Sequence, residues 1–295
     1  MKFWLFLLFE PQETLLEHAR NAERFGFEGV AMSDHVVLKT GEKTPHPSGI
    51  PVDPDFIFPD PLLNFAAMAS VTTKLRFLTN VYVVPLRDPF MLAKQMGTLA
   101  LASDDRMVLG TGVGWLKEEF EAMGIDFHTR GRRMDEMLQI MRDFWDDGYA
   151  EFHGKHFDFP KSGMFPVPRR QVPMWIGGHS PAAARRAVNF DGYMPMRPPI
   201  NLDTVDDETR AEFKMIDELR TERGLTGPYE RTLLMYPSGE PRDADAVRRL
   251  EEVEGITNLV VVPWRSPALW GGPPETFEEK WSKAAKFAEQ VIHRS

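Results

Sequence analysis

The 295-residue sequence predicts a (β/α)8 TIM barrel with insertions at the C-terminal mouth, formed by residues 1–295 as one domain. Three observations carry that expectation. Short apolar segments alternate with longer helical ones, the signature of a parallel sheet with helical crossovers. The length suits a barrel, which typically takes about 250 residues before insertions. The chemically marked residues gather where strands end, the face on which barrel enzymes assemble their sites. Alternation alone also permits an open doubly wound sheet; the position of the marked residues favours closure.

The elements follow in order. Residues 3–9 are apolar without alternation, as a strand covered on both faces should be. Residues 13–25 place Leu15, Leu16, Ala19 and Ala22 at helical spacing and end at Gly26. The second strand is 29–32, with Ser33-Asp34-His35 at its C-terminal end. Residues 39–61 hold six prolines, too long a connection to be idle, and read as a lid or rim. Within it, Phe56, Ile57 and Phe58 either cover an apolar ligand or anchor the loop to the core. A helix at 62–71, a third strand at 75–84 and a helix at 90–102 lead to the fourth strand, 107–109. Helices at 116–123 and 131–145 follow. The segment F-H-G-K-H-F-D-F and the prolines behind it read as a small hairpin inserted over the mouth. A fifth strand, 173–176, ends in Gly177-Gly178, and Ser180-Pro181 caps the next helix. The sixth strand is 191–196, before a proline-rich turn. Helix 206–223, strand 231–236, helix 243–254, strand 259–262 and a closing helix at 275–293 complete the eight repeats.

Composition narrows the function. A net charge of −9 argues against a nucleic-acid or anionic-membrane partner, so any anionic ligand needs a local site. The absence of cysteine removes disulfides, thiolate metal sites and cysteine nucleophiles. The first apolar run is short for a signal-peptide core, and no stretch approaches the roughly 20 apolar residues of a membrane span, so a cytoplasmic location is expected. The scattered histidines include no H-x-H or H-E-x-x-H, so no metal site is expected.

Three segments carry chemistry. In M-V-L-G-T-G-V-G-W, Gly110, Gly112 and Gly114 alternate before Trp115. Bare backbone there serves either a tight strand-to-helix turn or the close approach of something flat or charged. A dinucleotide G-x-G-x-x-G fingerprint fits worse, because the third glycine comes one place early. Gly177-Gly178-His179-Ser180-Pro181 stands between strand and helix, where free N–H groups suit a phosphate or simply make a capped turn. Asp34-His35 sets an acid beside an imidazole at a strand end, and that imidazole can donate, accept or shuttle protons. Arg130, Arg132 and Arg133 read as a solvated helix face with local ion pairs.

Taken together, S-D-H, F-L-T-N-V-Y-V-V-P-L-R-D-P, D-R-M-V-L-G-T-G-V-G-W-L-K-E-E-F-E-A-M-G, R-G-R-R-M-D-E, F-H-G-K-H-F and P-M-W-I-G-G-H-S-P-A-A-A-R-R-A resemble the bacterial luciferase-like superfamily. Within it the sequence looks like the branch of deazaflavin (coenzyme F420)-dependent oxidoreductases. The resemblance spans Phe3 to about Trp264. It departs at Asp104-Asp105, where small residues are usual.

The resemblance implies that the cofactor ring lies at the mouth, bordered by Asp34 and His35 as catalytic residues. Asn80-Val81 would form a bulged non-proline cis peptide behind the ring. Thr111, Gly112 and Trp115 would line it, and Gly177, Gly178, His179 and Ser180 would hold phosphate. The implied reaction is hydride transfer between F420 and a small organic substrate, with His35 handling the proton and Asp34 orienting or tuning it. The alternatives are an FMN-dependent monooxygenase using FMNH2 and O2 with a separate reductase, and a flavin-binding barrel without turnover. A homodimer through helices early in the barrel is also implied.

Overall fold

The computed structural model describes residues 1–41, 43–47, 49, 52–197, 205–235, 244–267 and 271–294. Eight parallel strands close into a barrel: β1 (Lys2–Phe6), β2 (Gly29–Met32), β3 (Arg76–Thr79), β5 (Met107–Gly112), β8 (Met174–Gly178), β9 (Gly192–Pro195), β10 (Glu230–Met235) and β11 (Asn258–Val261). The pairing of β3 with β5 shuts the ring. Around it run α1 (Leu15–Arg24), α2 (Pro61–Ala69), α3 (Pro89–Ala102), α4 (Lys117–Ala122), α5 (Arg130–Asp147), α6 (Pro181–Ala187), α7 (Asp207–Glu222), α8 (Ala244–Glu254) and α9 (Phe277–Phe287). The expected strand end at Tyr236, the helix start at Asp243 and the proline-rich turn at 198–199 lie outside the described residues.

Side-chain size sets the barrel interior. Trp4 and Trp175 meet edge to face at 5.6 Å inside it. A Cβ on Gly29 would stand 2.5 Å from the Trp4 ring, so the small residue next door admits the large one. Trp4 also donates to Asn258 Oδ1 at 2.8 Å, which satisfies its buried N–H.

Three expectations are corrected. The third strand is not continuous: it ends at Thr79 and resumes as β4 (Tyr82–Val83), with a cis Asn80–Val81 peptide between. The fourth strand does not stop at Leu109 but runs through the glycines to Gly112. A Cβ on Gly110 would stand 2.0 Å from the Thr79 carbonyl oxygen, so these glycines let strands close up on each other. The hairpin, β6 (Tyr149–His153) with β7 (Asp158–Gly163), does not roof the mouth. It packs on the outside of α3 and α5, where Phe159 meets Phe90 at 4.9 Å and Phe144 at 5.9 Å. Glu136 of α5 holds its turn by accepting the amides of Lys155, His156 and Phe157.

The arginines of α5 also differ from a solvated face. Arg130 donates to the carbonyls of Gly114 and Phe127, and Arg133 to those of Pro85 and Arg87. They tie the loops after β4 and β5 to the helix, and of the three only Arg132 is exposed. Asp104 and Asp105 both adopt left-handed backbone, φ 58° and 57°, which explains why small residues suit that turn.

The seam between the first and last strands is closed by a buried polar cluster. Lys280 of α9 donates to both carboxylate oxygens of Glu10, at 2.9 and 2.8 Å. Trp264 donates to Glu10 at 3.0 Å, and Trp281 to His18 Nδ1 at 3.1 Å. Since an indole N–H only donates, His18 carries its proton on Nε2 and gives it to Glu10 at 3.1 Å.

Candidate active site at the barrel mouth

His35 follows β2 and is nearly buried. Its Nδ1 lies 3.0 Å from Glu119 Oε2. Glu119 is only 2% exposed, and its other oxygen accepts the amides of Val36 at 2.5 Å and Val37 at 3.3 Å. Glu119 sits in α4, just past the glycine turn. The His35 ring stands edge-on to Phe58 at 4.8 Å and to Trp115 at 5.9 Å. His46, from the lid, meets the Trp115 ring at 4.8 Å.

Asp34 turns away from its neighbour. Its carboxylate accepts Arg87 Nη2 at 2.7 Å and the Val83 amide at 2.9 Å, and Arg87 lies over the Tyr82 ring at 4.3 Å. Burial pushes the Asp34 carboxyl up, against the pull of Arg87 and the Val83 amide. Burial works to lower the Arg87 guanidinium, and the Asp34 charge more than offsets it. Both carboxyl oxygens of Asp34 accept, one from Arg87 and one from the Val83 amide. The acid that meets His35 is therefore Glu119, and Asp34 instead fixes the short strand β4.

Asn80 follows β3. Its amide donates to the Met32 carbonyl at 2.7 Å, yet neither polar side-chain atom has a partner, although the residue is 2% exposed. Val81 fills a notch: a Cβ on Gly112 would lie 3.0 Å from it, and one on Gly177 2.6 Å. Thr111 donates to the Tyr82 carbonyl at 3.0 Å and is buried. At the end of β8, Gly178 has φ +143°, and its carbonyl accepts Tyr193 at 2.8 Å. His179 and Ser180 are exposed, and Ser180 caps α6 by accepting the Ala183 amide at 3.2 Å. The ends of β2, β3, β5 and β8 thus bring the sequence-marked residues to one face.

The model of the luciferase-like monooxygenase family matches residues 1–290. The chain belongs to that family. An uncharacterized protein of Mycobacterium tuberculosis is 34% identical over 278 residues, 93% of each chain. Two solved structures share the fold of this luciferase-like barrel over its full length. The monooxygenase RslO1 of Streptomyces bottropensis superposes with a TM-score of 0.80 at 17% identity, covering 100% of both chains. The coenzyme F420-dependent tetrahydromethanopterin reductase of Methanopyrus kandleri gives 0.72 at 15% identity, covering 100% of this chain and 99% of that one.

Several residues of the luciferase-like mouth escape sequence reasoning. Phe9 has φ 58°, strained for a residue with a Cβ, and its ring meets Phe56 at 4.5 Å and Phe58 at 5.2 Å. Phe56 and Phe58 thus pack the lid down beside His35. Glu119 carries one signal only, an acid four residues beyond Trp115 at the start of an acidic helix. His46 carries none, being one residue of a proline-rich loop. Among the described residues no three metal-ligating side chains converge, and no helix is long and apolar enough to cross a membrane.

Proposed function

We propose that this luciferase-like protein is an oxidoreductase that transfers a hydride between coenzyme F420 and a small organic substrate at the barrel mouth. The observation that carries the reading is Asn80. A buried carboxamide without a protein partner costs about 1–3 kcal/mol, so it fits a ligand that supplies the missing hydrogen bonds. A flat heterocycle with donors and acceptors on its edge is such a ligand, and the deazaflavin ring is one. The ring, when bound, supplies the two-electron chemistry.

The chain's own residues bind, orient and handle a proton. Asn80, Val81, Thr111, Gly112 and Trp115 would hold the ring. Gly177, Gly178, His179 and Ser180 would hold its phosphate. His35 exchanges the accompanying proton, and Asp34 holds β4 in place through Val83 and Arg87. The likeness to the deazaflavin branch supports the choice of F420; a protein using FMN would carry the same scaffold. We also propose a homodimer through α2 and α3, where Leu63 and Met91 expose 74% and 58% of their surface.

Fluorescence titration of purified protein with both cofactors tests the reading. Tighter binding of F420 is expected. FMN binding tighter by about tenfold, roughly 1.4 kcal/mol, replaces it with a monooxygenase served by a separate reductase. Cofactor binding with no turnover across a substrate screen leaves a binding protein.

A further inference from the structure

We propose that Glu119 is the positioning residue that sets the tautomer of His35, leaving Nε2 as its proton-accepting nitrogen; this rests on the proton-handling role given to His35 above. Glu119 is almost fully buried and meets three nitrogens, His35 Nδ1 and the backbone amides of Val36 and Val37. The Val36 and Val37 amides can only donate, so they fix Oε1 as an acceptor. A carboxylate presents only acceptors, so Oε2 takes a hydrogen bond from His35 Nδ1–H. A neutral imidazole carries one ring proton. With that proton on Nδ1, Nε2 keeps its lone pair, and it can take a proton there but not give one.

The same geometry says what Glu119→Gln would do. The substituted side chain has one acceptor oxygen and one amino group in place of two acceptor oxygens. Its oxygen is claimed by the two backbone amides of Val36 and Val37, which turns the amino group toward His35. Nδ1 must then accept, and the ring proton moves to Nε2. Glu119→Gln inverts the tautomer with almost no change of shape.

The experiment reads nitrogen-15 shifts of the histidine rings in the full-length protein without cofactor, at mildly alkaline pH where imidazole is neutral. The His35 signals are assigned by their loss in His35→Ala. Expected is a protonated Nδ1 with a bare Nε2 in the wild type, and the reverse in Glu119→Gln. A wild-type ring protonated on Nε2 overturns the proposal whether or not the variant folds, and so does a folded Glu119→Gln with an unchanged pattern. With cofactor present, Glu119→Gln is expected to slow single turnover by about 100-fold. Cofactor affinity should stay within about threefold of wild type. Failure of F420 to bind would sink the assigned function and leave the tautomer result standing; the reverse outcome would sink only the role of Glu119.

Discussion

Val81 stands where a side chain on Gly177 would have to go: its Cγ1 is 2.6 Å from that Cβ position. A β-branched side chain is stiff at χ1 and cannot swing clear. Gly177→Ala is therefore expected to destabilise the fold by about 1–3 kcal/mol through overpacking. Val81→Ala in the same chain should relieve it, with a coupling of about 1 kcal/mol in a double-mutant cycle of thermal or urea unfolding. Strict additivity of the two would mean that Gly177 is needed for something other than this contact.

Asn80 behaves in the opposite way. Removing a buried group that has no partner is near neutral for the fold. Asn80→Ala should melt within a few degrees of wild type but bind cofactor about tenfold more weakly, a loss of roughly 1.4 kcal/mol. A variant that melts early and binds normally would make the carboxamide structural.

Lys280 and Glu10 lie 270 residues apart and close the barrel seam. Lys280→Met leaves the Glu10 carboxylate buried with only neutral donors, and should cost about 3 kcal/mol in chemical unfolding. Burial pushes Glu10 up, and His18 and Lys280 more than offset it, holding it below the ordinary value of 4.5. A lowered carboxyl stabilises the fold above that value and loses this contribution as pH falls through the folded-state titration. The wild type should therefore lose more stability on acidification below 4.5 than Glu10→Gln does.

His46 titrates the other way. Burial, then the charges of His35 and His179, lower it from 6.5 to about 4. An open lid takes up the proton at the higher value, so the packed lid is favoured fully above pH 6.5 and loses ground as pH falls from 6.5 toward 4. Trp115, in contact with His46, reports this as a fluorescence change over that window. It should vanish in both Trp115→Phe and His46→Gln. A change that survives in His46→Gln would assign the transition to another group.

The sequence by itself determined the barrel, because eight apolar strands and their helices are local patterns set by periodicity and breakers. It also put His35, Asn80 and Gly177 at strand ends, and an imidazole at a strand end of a barrel is at the mouth. The cis peptide at Asn80–Val81 came from the resemblance, and the structure has it. What touches what was decided by tertiary structure alone. Asp34 is adjacent to His35 in the chain, yet its carboxylate reaches Arg87, 53 residues on, and not the imidazole. The acid that meets His35 is Glu119, 84 residues away, brought there by the β5–α4 turn. The alternating glycines were legible as bare backbone, but only the closed barrel shows Thr79, Val81, Val83 and Phe120 against the places their side chains would occupy. Local spacing encodes which face a residue takes on its own element; the partner on that face depends on closure of the whole ring.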